Sequence, residues 1–389
     1  MRIARIVADR IEVPLRTPFR HAQAEHRTAE NVIVEVTLED GATGYGNSLP
    51  RPFVTGESAE GVFEIYRRGV SRSVFGNVGG FGDLVEILTA DPLVPEGFTL
   101  NLAARCALEL ALLDAFGKHF KRSASDAIRL ATPEVVFDEP PSEVRYCVGI
   151  SSATPLRELA RAVKYRLAGF RSLKLKVGLD DAQDLRKLRL IRSLLGRRID
   201  LHADANGAWL LGRAETMCRE MESYELAAIE QPLPKGDEDD LGALRRATGI
   251  PVTIDESLTS HDSARQAAAN RWCDLFNIRI SKCGGLLRSC GLARIAWEHG
   301  LGYQLGCQVG ETGILSAAGR AFACTVRDIR YLEGSYDRWL IADNVLKRDI
   351  SIGYGGCAPC LTGHGLGVEV DPDAVERLSL ETLEVPSAS

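Results

Sequence analysis

The sequence contains no apolar run approaching the roughly 20 residues needed to cross a bilayer, so no membrane span is expected. Residues 1–10 are charged throughout, which argues against a secretory leader and leads to the expectation of a cytoplasmic protein. A positive balance is also missing. Forty-seven Lys and Arg against 53 Asp and Glu leave a net charge of −6, so neither nucleic acid nor an acidic membrane is expected as a partner. No G-x-G-x-x-G follows an early strand-like run, which counts against an open, doubly wound dinucleotide fold. Ten cysteines are present, and Cys357 and Cys360 form a C-x-x-C. The other two ligands of a tetrahedral zinc site are not evident nearby, although His364 is within reach in sequence. The cysteines are therefore expected to be reduced and structural.

What remains is an ordinary globular composition, 45% hydrophobic and 26% charged. Its 389 residues suffice for one large α/β barrel and a smaller domain. Strand-like runs over Ile3–Val13 and Val32–Leu38 are followed by Glu39-Asp40-Gly41, a hairpin turn signal. Helical periodicity covers 57–70 and 101–119, the second with an apolar stripe of Leu102, Cys106, Leu110, Leu113 and Phe116. These predict an N-terminal α+β unit over 1–125. From about 143, strand-like runs alternate with amphipathic stretches such as 181–195, and end at Val148, Lys176, Asp204, Glu230, Asp255, Ile280, Leu305 and Glu333. The intervals are regular: 28 residues from 176 to 204, 26 to 230, 25 to 255 and 27 to 282. Eight such units predict a closed parallel barrel over 126–350, with 351–389 returning to the first unit.

In such a barrel the strand C-termini meet on one face, where catalytic side chains sit. Here five successive ends carry Lys176, Asp204, Glu230, Asp255 and Lys282. Three converging carboxylates repel unless a cation holds them, and an all-oxygen donor set suits Mg²⁺. The competing reading is a ring of ion pairs, Lys176 with Asp204 and Lys282 with Asp255. A lysine beside a divalent cation is pushed toward its neutral form and becomes a competent base. Two lysines flanking one carbon could remove a proton from one face and return it on the other, with the metal stabilising the resulting enediolate.

The motifs Lys174-Leu175-Lys176, Asp204-Ala205-Asn206, Glu230-Gln231-Pro232, Asp255-Glu256-Ser257 and Lys282-Cys283-Gly284-Gly285 resemble the enolase superfamily, in its muconate-lactonizing subgroup. Enolase-type sites that pair a Lys or His base with Mg²⁺ are a known pattern. The resemblance spans nearly the whole chain. It implies an α/β fold: a modified (β/α)7β barrel under an N-terminal α+β capping domain. It implies Asp204, Glu230 and Asp255 as Mg²⁺ ligands, Lys176 and Lys282 as the acid/base pair, and Lys174 near the substrate carboxylate. It further implies a small-molecule carboxylate as substrate and a homo-oligomeric assembly. The expected activity is racemisation or epimerisation of an amino-acid-derived carboxylate, with a cycloisomerase or a dehydratase as alternative and a non-catalytic relative as the remote third.

Other positions bear on the substrate. Relatives that act on dipeptides carry Asp-x-Asp at the eighth strand, where this chain has Glu333-Gly334-Ser335. The segment Thr17–Arg27, expected as a loop over the substrate, has Ala24 where an arginine would fit, with Arg20 and Arg27 close by. Candidate substrate contacts are thus Lys174, Asn206, Glu333, Arg27 and Arg51. Asn47 replaces a glutamate common in the family, and Gln308 and Glu311 are expected near the pocket.

Overall fold

A computed structural model describes residues 1–21, 24–70, 75–90, 101–150 and 154–387. Strands β1 (Ile3–His21), β2 (Ala24–Leu38) and β3 (Thr43–Ser48) form an antiparallel meander, with Asp40-Gly41 in the β2–β3 turn as its sequence predicts. The segment expected to be a loop at 17–27 instead continues the hairpin, its backbone pairing His21 with Ala24 after a register break between Pro14 and Phe19. Proline cannot donate to the ladder, and Pro18 lies inside that break. The side chains of Arg20 and Ala24 lie outside the described residues.

A short strand, β4 (Glu143–Arg145), precedes eight parallel strands: β5 (Val148–Ile150), β6 (Ser172–Lys176), β7 (Asp200–Asp204), β8 (Ala228–Glu230), β9 (Val252–Ile254), β10 (Leu275–Ile278), β11 (Gly302–Leu305) and β12 (Ile329–Leu332). Their order in the sheet is their order in the chain, as in a (β/α) barrel. The amide of Cys147 donates to the Leu332 carbonyl at 2.8 Å and brings the first strand against the last. The strands expected to end at Asp255 and Glu333 stop one residue earlier, and two other ends differ by two residues. β5 begins rather than ends at Val148, and β10 stops at Ile278. Residues 279–285 then bond to themselves, Cys283 to Arg279 and Gly285 to Ile280, so Lys282 sits in a tight turn beyond the strand.

The final strands return to earlier parts of the chain. β13 (Cys357–Pro359) pairs with β4, and β14 (Ser379–Glu384) adds to the free edge of β1. Beside β13, Cys360 is disulfide-bonded to Cys324. This corrects the expectation that the cysteines are all reduced. The two are 36 residues apart, and what joins them is tertiary: buried Arg320, one helical turn before Cys324, donates to the Pro359 carbonyl at 2.9 Å. Cys357 keeps a free thiol, so the C-x-x-C is not a unit.

The helix Leu102–Phe120 is buried all round from Leu102 to Gly117 rather than along one stripe, because β2 and β3 pack on it together with the neighbouring helices Ala59–Arg67, Phe81–Ala90 and Ala124–Ala131 and the barrel helix Leu286–Glu298. Three charged residues, Arg105, Glu109 and Asp114, lie within that buried stretch, and the first two reach the barrel. Arg105 pairs with Glu109 one turn on and donates to the carbonyls of Gly284 and Leu88, both at 2.7 Å. Glu109 in turn accepts from the Leu287 amide at 2.9 Å. A Cβ on Gly285 would stand 2.6 Å from the Glu109 carboxyl, and its φ is +119°, so only glycine fits there. The cap is thereby fastened to the turn that carries Lys282, helped by a 2.9 Å bond from the Leu49 amide to Ser281. Arg105→Met, which strands the Glu109 charge, is expected to cost about 3–5 kcal/mol in urea unfolding. The double variant with Glu109→Gln should recover most of that loss.

Candidate active site

Parallel pairing aligns the charged strand ends side by side. Lys176 is the cross-strand partner of Asp204, and Asp204 of Glu230. Neighbouring strands lie about 4.8 Å apart, so like charges at adjacent ends are forced together. Asp255 follows the end of β9 directly, and all three carboxylates are buried.

Each carboxylate meets a base. Lys176 donates to Asp204 at 2.6 Å and also to Asn206. Lys174, two residues back on the same face of β6, donates to Glu230 at 2.6 Å and is ion-paired with Glu333 across the barrel seam. Lys282 donates to the Asp255 carboxylate at 2.8 Å, to the Asp255 carbonyl at 2.6 Å and to the Asn277 carbonyl at 2.9 Å. Burial works against the charge of Lys174, but Glu230, Glu333 and Asp204 outweigh it and hold the amine well above its ordinary range. Burial raises the Glu230 carboxyl despite Lys174. Burial also opposes the Asp255 charge, but Arg279 and Lys282 prevail and hold it below the usual range.

Several site residues were not singled out in the sequence. Arg279, three residues before Lys282, contacts Asp255 and stands 3.8 Å from Glu230. Glu230 also accepts from Asn277 at 2.9 Å and Gln304 at 2.7 Å. A polar residue inside a short barrel strand is the signal that marks these two. Gln231 accepts from the Asp255 and Ser257 amides, which fixes the direction of Asp255. Glu256 accepts from Asn206 at 3.1 Å, while its other carboxyl oxygen is buried with no hydrogen-bond partner.

The remaining candidates separate. Arg51 is half-buried at the barrel mouth and bonds the Val309 carbonyl in the loop after β11, and burial lowers it to about 10. That loop carries Glu311, which accepts from the Gln308 amide at 2.8 Å and which burial pushes up to about 8. Glu333 is bound to Lys174, and Ser335 accepts from Arg320 at 2.8 Å. Asn206 links Lys176 to Glu256. Arg27 lies exposed on β2. Asn47 belongs to a buried network with Asn31 and Thr312 that joins β3 to the β11 loop.

Among the described residues, no three His, Cys, Asp or Glu side chains stand at metal-ligating spacing, because each carboxylate is turned to its base. The donor set nonetheless fits a hard divalent cation: all oxygen, buried, on adjacent strands. Five acids (Asp204, Glu230, Asp255, Glu256, Glu333) face four bases (Lys174, Lys176, Arg279, Lys282), and one acid oxygen is left unpartnered.

Residues 156–374 match the description "Enolase C-terminal domain-like", and residues 3–128 match "Mandelate racemase / muconate lactonizing enzyme, N-terminal domain". The chain belongs to this family of the enolase superfamily. It is 31% identical to an L-Ala-D/L-Glu epimerase of Bacillus subtilis over 95% of this chain and 97% of that one. It is 27% identical to an N-succinyl-L-Arg/Lys racemase of Bacillus cereus over 98% of each. The crystal structure of the latter superposes with a TM-score of 0.86 at 25% identity, covering 99% of this chain and 100% of that one. A substrate-liganded structure of the former gives 0.81 at 27%, covering 95% and 99%. The chain thus has the barrel and cap of the superfamily, as its motifs predict.

Glu311 provides a test that does not depend on the reaction. Its carboxyl is raised in the folded state, so its contribution to stability is complete below the unfolded value near 4.5 and is lost as pH rises toward about 8. Melting curves at pH 5 and pH 9 should show Glu311→Gln gaining stability relative to the parent only at the higher pH, against a parent slope of up to about 1.4 kcal/mol per unit in between.

Proposed function

We propose that this chain is an isomerase that racemises or epimerises the α-carbon of an amino-acid-derived carboxylate, with Lys176 and Lys282 as its two bases. The reading is carried by strand order. In a sheet of eight strands arranged in sequence, β6 and β10 stand four strands apart, on opposite sides of the barrel, with the three carboxylate strands between them. A substrate held at the barrel mouth would therefore meet one lysine on each face of its α-carbon. The relatives named as epimerase and racemase support the same reaction class.

Asp204, Glu230 and Asp255 would hold Mg²⁺. When bound, the cation supplies the electrophilic stabilisation without which an amine base cannot ionise a carbon acid next to a carboxylate. The protein's own groups do the rest. Lys282 enters fully buried, with three hydrogen bonds to fixed acceptors, and is placed to deliver a proton. Lys176 is partly open, with a side-chain exposure of 36%, and is placed to take one. Their roles exchange in the reverse direction. Were Asp204 and Asp255 to hold the cation, the amines of Lys176 and Lys282 that now pair with them would be available for proton transfer. Lys174 keeps Glu230 and Glu333 aligned, and Arg279 steadies Asp255. Asn206 positions Lys176.

Arg51, from the cap segment after β3, and Glu311, from the loop after β11, would face the outer part of the substrate and set its polar side-chain preference. Glu333 is committed to Lys174 and Ser335 to Arg320, so the eighth strand offers no spare carboxylate for a substrate ammonium.

Incubation of dipeptides and N-acylamino acids with Mg²⁺ in D₂O tests the reaction. Exchange of the α-hydrogen should accompany loss of optical activity. Ring closure or loss of water with exchange would replace racemisation by the cycloisomerase or dehydratase reading. Calorimetric titration with Mg²⁺ should show Glu230→Gln weakening the cation by about 100-fold or more, since a neutral amide replaces a charged ligand.

A further inference from the structure

A second concavity lies at the opposite end of the barrel. It has a volume of about 570 Å³ and is lined by Arg145, Arg166, Arg171, Arg198, Tyr354 and Cys357, with Gly169 and Ile199. Arg145 ends β4, Arg166 sits in the last turn of the helix that precedes β6, and Arg171 and Arg198 lie just before β6 and β7. These are strand N-termini, whereas Lys176 and Asp204 lie at the C-termini. A five-residue strand separates the two ends by about 16 Å. The cleft is therefore distinct from the catalytic face.

Its charge runs against that of the chain. Four guanidinium groups line one cleft in a protein of net charge −6. Arg145 has a partner, Glu143, at 3.8 Å, but both side chains are about half exposed and such a pair contributes little. No side-chain hydrogen bond or ion pair engages Arg166, Arg171 or Arg198 among the described residues. Asp200 approaches only through its amide, which donates to the Arg171 carbonyl. Like charges gathered in a concave site raise the local potential and attract an anion of matching multiplicity.

The guanidinium fork matches tetrahedral phosphate oxygens two at a time, and four forks exceed what one carboxylate can satisfy. The cleft also has an aromatic wall. Tyr354 is 76% exposed, and its ring would lie 2.7 Å from a Cβ placed on Gly169, where φ is +88°. Gly169 thus leaves room for the ring to pack close against the backbone while it lines the cleft. An exposed aromatic face beside cationic groups suits a planar ring attached to the phosphates.

We propose that this cleft is a binding site for a small soluble ligand carrying a diphosphate group, of the nucleoside-diphosphate type. Calorimetric titration of the full chain, without divalent cation, with inorganic pyrophosphate, ADP and orthophosphate tests it. Pyrophosphate and ADP should bind, ADP more tightly, with orthophosphate at least about tenfold weaker because it can engage fewer forks. The double variant Arg166→Gln/Arg198→Gln should weaken pyrophosphate about tenfold or more while keeping the parent melting temperature and the α-proton exchange activity. Tyr354→Ala should remove the preference for ADP over pyrophosphate. Absence of pyrophosphate binding at millimolar concentration, or unchanged binding in the double variant, would overturn the proposal. So would a single-stranded RNA that competes far more tightly through the same arginines.

Discussion

Everything at the catalytic end of this molecule depends on the neutralisation of carboxylates that the sheet forces together. Parallel pairing places Asp204 directly beside Glu230, with Asp255 next in line, out of contact with water. Unpaired, such charges would each cost several kcal/mol. The fold answers with Lys174, Lys176, Arg279 and Lys282, each donated from a different place along the same barrel. The requirement reaches outward as well. Lys282 stands in a turn that the cap holds through Arg105, Glu109 and Ser281, so the buried helix of the cap is part of the support for the site.

The ion-pair ring and the proposed metal site, alternatives at the level of sequence, draw on the same charge cluster. Bases compensate the acids in the folded chain, and five acids against four bases leave an oxygen of Glu256 without a partner. A divalent cation would bring two positive charges to a deficit of one, and so let one of the two lysines stand neutral as the base. The same groups that neutralise the acids are thus the ones that the proposed chemistry uses.

Much of this was legible in the sequence, because strand ends recur at near-constant intervals and the charges fall at those ends in one order. The parallel barrel follows from that pattern, and the family from the resemblance of the motifs at those ends to the enolase superfamily. What was not legible depends on contacts distant in the chain. Arg279 gives no periodic signal, and its role emerges only where β10 turns back on Asp255. Cys324 and Cys360 are brought together by Arg320 reaching the β13 segment, which no compartment rule anticipates. The hairpin at 17–27 has a polar composition that suits a loop equally well, and strand pairing decides it. The arginine cleft is invisible to net charge, since a total of −6 says nothing about where the cations gather.

The central claim is that two lysines serve opposite faces of one carbon. It is tested most directly by following deuterium uptake from D₂O into each enantiomer separately, with Lys176→Ala and Lys282→Ala. Each variant retains one base, so each is predicted to exchange the α-hydrogen of one enantiomer only, the opposite one for the two variants, without racemisation. Full racemisation by either variant, or exchange confined to the same enantiomer in both, would contradict the account.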